Sequence, residues 1–244
     1  MIQAFFVSDI HLSESEPGIA RLFFDFLENE APNARSLYIL GDLFDAWAGD
    51  DDIGDPFNHE VVSRLGRVSS GGVDVHVMHG NRDFLMGSRF FEEAGAIHLP
   101  DPHVIEFEDR KIVLTHGDML CTGDAEYQAF RKTVRNESWQ SEFLQQPLSI
   151  RKEIISNLRK SSEEKKQEKP SGIMDADQHA VESMLVAHDC RLMIHGHTHK
   201  PARHRFEMGD ERCERWVLGD WHERNASCIA FGGGALRFID AGNR

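Results

Sequence analysis

A chain of 244 residues can bury a full core without disulfides or metal ions as structural props, and one domain is expected over its whole length, 1–244. Its 41 acidic against 27 basic residues leave a net charge of −14, the wrong sign for tracking a phosphate backbone, so nucleic acid is not an expected partner. No apolar run approaches the roughly 18 residues of a membrane span, and Ala4–Val7 is followed at once by Ser8 and Asp9, unlike a secretion-signal core; a cytoplasmic chain is expected. Cys121, Cys190, Cys213 and Cys228 show neither a CxxC nor a zinc-ribbon spacing and read as reduced thiols.

In chain order, Ala4–Val7 reads as a short buried strand. Ile19, Leu22, Phe23, Phe26 and Leu27 then fall on one helical face, and Leu37–Leu40 gives the next strand. Val61, Val62 and Leu65 mark a second helix before the strand Val73–Met78, and Phe90, Phe91 and Ala94 mark a third that stops at Gly95. Ile112–Leu114 is a further strand. From Cys121 to Met174 no strand-like run occurs, whereas Tyr127, Phe130, Trp139, Phe143, Leu144, Ile150, Ile154 and Leu158 recur mostly at helical spacings, so 121–174 reads as a helical insertion. With ten basic and eight acidic residues it is locally basic on an acidic body, and Ser161–Lys169 reads as a solvated helix face or loop. A helix through Val181, Leu185 and His188, capped by Asp175, precedes the strand Leu192–Ile194. The runs Arg215–Leu218, Ser227–Phe231 and Leu236–Ile239 read as antiparallel strands closing an α/β fold.

Five motifs stand where apolar runs end: Asp9-Ile10-His11, Gly41-Asp42, Gly80-Asn81-Arg82-Asp83, His116-Gly117-Asp118 and His195-Gly196-His197-Thr198-His199. Ligands of α/β sheets bind beyond the carboxyl ends of the strands, which brings Asp9, His11, Asp42, Asn81, His116, His195 and His197 to one place. Carboxylate, amide and imidazole donors without thiolate favour Mn²⁺, Fe²⁺ or Zn²⁺. Seven ligands suit two ions sharing a carboxylate, and such a pair about 3.5 to 4 Å apart clamps a phosphoryl group while generating hydroxide at neutral pH. Phosphoester hydrolysis is the expected chemistry.

The ordered set DxH, GD, GNRD, HGD and GHTH resembles the calcineurin-like metallophosphoesterase superfamily. More narrowly, Ser8-Asp9-Ile10-His11-Leu12, Gly41-Asp42-Leu43-Phe44-Asp45-Ala46-Trp47, His79-Gly80-Asn81-Arg82-Asp83-Phe84-Leu85, Thr115-His116-Gly117-Asp118, Tyr127-Gln128-Ala129-Phe130-Arg131 and the 195–199 run resemble the UDP-2,3-diacylglucosamine hydrolase family. This resemblance implies a β-sandwich flanked by helices (αββα), with the helical insertion as a lid. It also implies hydrolysis of the pyrophosphate of UDP-2,3-diacylglucosamine to UMP and 2,3-diacylglucosamine 1-phosphate, a step of lipid A biosynthesis. Two divalent ions, Mn²⁺ foremost, would serve that reaction at the cytoplasmic face of the inner membrane. By the same resemblance Asp9, His11, Asp42 and His197 hold one ion and Asp42, Asn81, His116 and His195 the other, with Asp42 as bridge. Asn81, Arg82 and His195 are expected to act in catalysis and to touch substrate, and Asp124, Ser162, Lys166 and Lys169 to contact its uridine or glucosamine portion.

Arg82 stands where the superfamily often has the histidine of GNHD or GNHE. A guanidinium cannot readily act as a general acid, but it makes two charge-assisted hydrogen bonds to phosphate, and the phosphate leaving group of a pyrophosphate needs little acid assistance. Arg82 therefore reads as a clamp. Asp45, Asp83 and Asp118 read either as residues that orient ligands or as turn caps. Asp50-Asp51-Asp52 lacks the spacing of a calcium loop and reads as a solvated acidic loop. His199 lies in reach of the cleft with no role assigned. Arg151, Lys152, Arg159 and Lys160 are expected to face an anionic membrane surface. No protein partner is expected. A broader nucleotide-pyrophosphate or cyclic-nucleotide phosphodiesterase, or a non-catalytic scaffold of the same fold, are the alternatives.

Overall fold

In strand β1 (Ile2–Val7), Ala4 and Phe6 face one side, Phe5 and Val7 the other, and all four are buried. Burial on both faces is what a central strand of a layered α/β fold requires. A computed structural model describes residues 2–108, 110–168, 175–223 and 225–241, with the side chains of 163–168 left out. It holds eleven strands in two sheets among these residues.

In the first sheet β1 pairs in parallel with β2 (Ala34–Leu40), which continues through β3 (Asp74–Met78) to β4 (Ile97–Leu99); β10 (Ser227–Gly232) and β11 (Ala235–Asp240) add an antiparallel edge. In the second, β6 (Arg110–Thr115), β7 (Leu192–His195) and β9 (Glu211–Val217) run parallel, flanked antiparallel by β5 (His103–Phe107) and β8 (Ala202–Met208). Phe6, Leu40, Met78, Leu114, Ile194, Trp216 and Phe231 fill the space between the sheets. On the outer face of the first, α1 (Pro17–Asn29), α2 (Pro56–Ser70) and α3 (Ser88–Ala94) bury Phe23, Phe26, Leu65 and Phe90. Trp221 meets Phe23 and Phe26 edge to face, with centroids 5.6 and 5.8 Å apart. Helix α7 (Gln178–Ala187) covers the second sheet through Val181 and Leu185. The layers are helix, sheet, sheet, helix, as the motifs implied.

The stretch after β6 is helical where described: α4 (Ala125–Val134), α5 (Glu137–Leu144) and α6 (Leu148–Glu168). Asp124 and Asn136 cap the first two, accepting hydrogen bonds from the backbone N–H of Tyr127 and Trp139.

Several expectations need correction. Asp177, not Asp175, caps α7, because its carboxylate accepts from Ala180 N; Asp175 pairs with Lys200 instead. The strand that holds 215–217 is antiparallel to β8, its hairpin partner, but parallel to β7 on its other side. Strands β4, β5 and β8 carry no apolar run: β8 alternates charged residues along an edge, which blunts pairing with another chain.

His79 follows β3 and is half-buried, its ring bonded to the Met86 carbonyl and packed against His98. Burial, with the neighbouring His98 and Arg135, lowers its imidazole to about 3, although the Met86 bond opposes this. The unfolded chain binds a proton near pH 6.5, so the stability from a neutral His79 is complete above that value and lost as pH falls toward 3. His79→Asn is expected to flatten the acid limb of stability by about 2 kcal/mol at pH 4.5, read from urea melts between pH 4.5 and 8. An unchanged limb refutes this.

Candidate active site

The exits of β1, β2, β3, β6 and β7 lie side by side, and backbone contacts weld them together. Asp9 N donates to the Gly41 carbonyl, Ile10 N and His11 N to that of Asp42, and Trp221 N to that of Asp9. Gly80 and Gly196 are required by close approach: a Cβ on the first would strike Asp42, and on the second Ser8 and Asp9. Asp9, His11, Asp42, His197 and His199 all have positive φ, five of the seven non-glycine residues that do so among those described. Asp and His tolerate this region better than most side chains, and clustering of such strain is typical of functional sites.

Those turns aim a set of ligand atoms inward. Asp42 Oδ2 lies 3.9 Å from His11 Nδ1 and 3.8 Å from His116 Nε2, between the two halves of the cluster. Its other oxygen accepts from Arg82 N at 2.8 Å. Asp9 Oδ2 accepts from Ser8 Oγ and His197 N, leaving Oδ1 3.3 Å from His199 Nε2. Asn81 Oδ1 is 2.9 Å from both His116 Nε2 and His197 Nδ1. His116 Nδ1 donates to the Leu40 carbonyl, which turns Nε2 toward the cluster. Asp9, His11 and His199 form one group able to hold a cation, and Asp9, Asp42 and His116 another. His11 Nδ1 is buried without a hydrogen-bond partner among the described residues. Carboxylate, imidazole and amide donors of this kind fit a pair of divalent ions.

The structure brings His197 and His199, rather than His195 and His197, beside the other expected ligands. His195 is the last residue of β7, its Nδ1 bonds the Gly196 carbonyl, and its ring packs against Gly117 rather than beside Asn81. The positive φ of His197 and His199 carries the next two imidazoles into the site. His197 therefore joins Asn81 and His116, with its ring centroid 5.1 Å from that of His116, and His199 joins Asp9 and His11. Asp220, absent from the sequence reading, faces His199 Nδ1 at 3.2 Å. Its signal was a Gly-Asp pair beyond β9, the same pattern as Gly41-Asp42 beyond β2.

The buried charges act on one another. Burial opposes ionisation of Asp9, but the hydrogen bond from His199 and the charges of His116, His199 and His11 carry its carboxyl well below the usual range. Burial raises Asp42 against the pull of His116. His116 is buried too, yet Asp42, Asp9 and Asp118 push it up to about 9, and hydrogen bonds to Asp220 and Asp9 raise the half-buried His199 to about 10. Burial lowers His11 to about 4 and His197 to about 3, so both are neutral donors at neutral pH.

The open side of the cluster leads into a cavity of about 410 Å³ walled by Phe84, Phe130, Val134, Trp139, Phe143, Ile155 and Leu158. Asn81, Arg82, Asp124, Ser162, His197 and His199 also line it, so Asp124 and Ser162, two of the four residues expected at the uridine or glucosamine portion, stand on the cavity wall; the Lys166 side chain and Lys169 lie outside the described residues. Arg82 Nη1 has no hydrogen-bond partner among the described residues and lies 3.8 Å from Asp45, which also pairs with Arg159. Asp83 accepts from Gly80 N, Leu43 N and Phe44 N, joining the β2 and β3 exits. Burial and the charge of Asp42 push its carboxyl up to about 7. Arg151 does not face outward: it is buried against the Ala48 carbonyl and Asp51. Lys152 pairs with Asp52, which takes a second cation from the expected basic face.

Strand-end ligands on an αββα frame define a calcineurin-like phosphoesterase, and the model of that family matches residues 3–201. The chain belongs, within that class, to the UDP-2,3-diacylglucosamine hydrolase family. The protein of that name from Aromatoleum aromaticum is 47% identical over 222 residues, 91% of this chain and 90% of its own. Those from Cellvibrio japonicus and Escherichia coli are 45% and 46% identical, over 90% and 89% of this chain and 91% and 90% of theirs.

Ligand variants separate the two histidine assignments. Asp42→Ala is expected to abolish paired Mn²⁺ binding and His199→Ala to remove one ion, whereas His195→Gln keeps both; metal stoichiometry by atomic emission reads the outcome. Loss of an ion in His195→Gln with two retained in His199→Ala reverses the assignment. A cation must displace the protons of His116 and His199, so Mn²⁺ affinity is expected to rise as pH approaches 9, with proton release seen by calorimetry in buffers of different ionisation enthalpy.

Proposed function

We propose that this chain hydrolyses the pyrophosphate of UDP-2,3-diacylglucosamine to UMP and 2,3-diacylglucosamine 1-phosphate, a step of lipid A biosynthesis. The observation that carries this reading is a cation-holding cluster opening directly into an apolar cavity, one half fitted to a diphosphate and the other to acyl chains. Asp9, His11, Asp42 and His199 would hold one divalent ion, and Asp42, Asn81, His116 and His197 the other, with Mn²⁺, one of the ions that suit these donors, the choice the family resemblance implies. When bound, the ions supply Lewis acidity toward the phosphoryl oxygens and lower the pKa of water at the site.

The remaining work falls to side chains. Leu40, Ser8 and Asp220 hold His116, Asp9 and His199 in their orientations, so little reorganisation accompanies the reaction. Arg82 lines the cavity, its guanidinium 3.8 Å from Asp45 and its buried Nη1 without a hydrogen-bond partner among the described residues, and it clamps the diphosphate. Residues 121–174 act as the lid, and Phe130, Val134, Phe143 and Leu158 give the acyl chains a surface that excludes water. A broader nucleotide pyrophosphatase has no use for such a wall.

The same helices support peripheral association with the inner membrane. Phe130, Leu144, Ile150 and Leu158 are each 40 to 43% exposed on α4 to α6, and apolar contact rather than the ion-paired Arg151 and Lys152 would carry the attachment. No helix among the described residues is long and apolar enough to cross a membrane.

Incubation of the purified protein with UDP-2,3-diacylglucosamine and Mn²⁺ is expected to yield UMP and the lipid 1-phosphate, identified by mass spectrometry, with higher kcat/KM than for UDP-glucosamine in matched detergent. Equal activity on both would favour the broader pyrophosphatase. Arg82→Ala should lower turnover by about 30- to 1000-fold at equal metal content, the scale of a lost transition-state contact of roughly 2 to 4 kcal/mol. Unchanged turnover removes the clamp.

A further inference from the structure

Helix α4 is attached to the site by a polar seam where a hydrophobic stripe would be ordinary. Tyr127, Arg131 and Arg135 follow one another at intervals of four, on one side of the helix and its C-cap. Tyr127 Oη and Arg131 Nε both donate to Asp118 Oδ2 at 2.8 Å. Asp118 is fully buried two residues beyond His116. Arg131 also approaches Asp101 at 3.7 Å, and the other oxygen of Asp101 accepts from His116 N. Arg135 donates to the Gly80 carbonyl at 2.8 Å and to that of His79 at 3.4 Å, on the turn that carries Asn81 and Arg82. Its guanidinium covers the Phe84 ring of the same turn. Gln128 adds bonds to the Asp118 and Cys121 carbonyls.

The adjoining side of the helix faces the cavity through Phe130 and Val134, and Tyr127 belongs to both sides. Its ring lies near-parallel to that of His197, with centroids 5.8 Å apart. One rigid turn-by-turn element thus touches the apolar wall, the His116 loop, the His197 ring and the Asn81 turn.

We propose that Tyr127, Arg131 and Arg135 are positioning residues: they fasten α4 to the loops that carry His116, His197 and Asn81, so that the cavity wall and the cation-holding cluster are set by the same hydrogen bonds. A chain packed against Phe130 and Val134 then bears on the helix that orients the ligands, and binding energy from a remote part of the substrate is expressed in kcat as well as in KM. The kinetic half of this inference rests on the proposed hydrolase activity; the effect on cation binding does not.

The test uses the full chain with Arg131→Ala, Arg131→Lys, Arg135→Ala and Tyr127→Phe. Mn²⁺ affinity is measured by electron paramagnetic resonance, and kcat and KM on UDP-2,3-diacylglucosamine and UDP-glucosamine, with far-UV circular dichroism and Tm fixing the folded fraction. Arg131→Ala and Arg135→Ala are expected to weaken Mn²⁺ binding about tenfold, the low end for loss of groups that orient ligands. They should lower kcat on the acylated substrate by about tenfold or more, with KM within about threefold, and narrow the kcat advantage over UDP-glucosamine. Arg131→Lys, which keeps the charge opposite Asp118, should recover part of both losses, and Tyr127→Phe, which keeps the ring on His197, should be the mildest. Folded variants that match the parent in Mn²⁺ affinity and kcat, whether or not Tm falls, overturn the proposal. If the parent releases no UMP from the acylated substrate, the hydrolase reading fails and the Mn²⁺ measurement alone decides the seam.

Discussion

Two carboxylates, Asp9 and Asp42, are almost completely removed from solvent at the ends of adjacent parallel strands. Like charges buried this close disfavour each other's ionisation, and desolvation adds to the cost, so the arrangement holds only with positive charge beside it. The chain gathers that charge from imidazoles: His116 and His199 sit far above the ordinary histidine range because of it. Protons there occupy the role for which divalent ions are better suited. The glycines that permit close approach, the left-handed turns and the welded strand exits all serve to hold this pair.

The layered frame and the helical segment divide the labour. The strands supply fixed termini, which place ligand atoms more accurately than loops could alone. The α4 to α6 helices supply apolar surface without disturbing either sheet, and beside the core contacts of Phe143 and Trp139 they are attached by ion pairs: Asp118 to Arg131, Asp45 to Arg159, Asp51 to Arg151. Charged residues that look in sequence like a face for anionic lipid are largely spent on these internal pairs.

Much of this was legible in the chain itself. Buried strands announce themselves by apolar runs because both faces are covered, and strand-end Asp, Asn and His beside Gly identify the cluster before any coordinates. Edge strands β4, β5 and β8 were missed because an edge protects itself with polar side chains, erasing the periodicity that would reveal it. That His197 and His199, rather than His195 and His197, meet the cluster has a sharper cause. Alternating imidazoles in His195-Gly196-His197-Thr198-His199 look equivalent in sequence, and only the end of β7, one residue before Gly196, decides which of them leave the sheet.

The left-handed backbone at Asp9, His11, Asp42, His197 and His199 makes the strand exits a reservoir of conformational energy, of order 1 kcal/mol or more at each residue. Neighbouring hydrogen bonds and buried surface offset it in the folded chain, but nothing offsets it once a strand end frays. The sheets and their exits therefore belong to different levels of local stability. Amide hydrogens at the exits should exchange through small openings that leave the β-strand interiors protected, and a bound cation would act as a rivet, slowing exchange at those five residues by making every opening that releases it costlier by the free energy of binding.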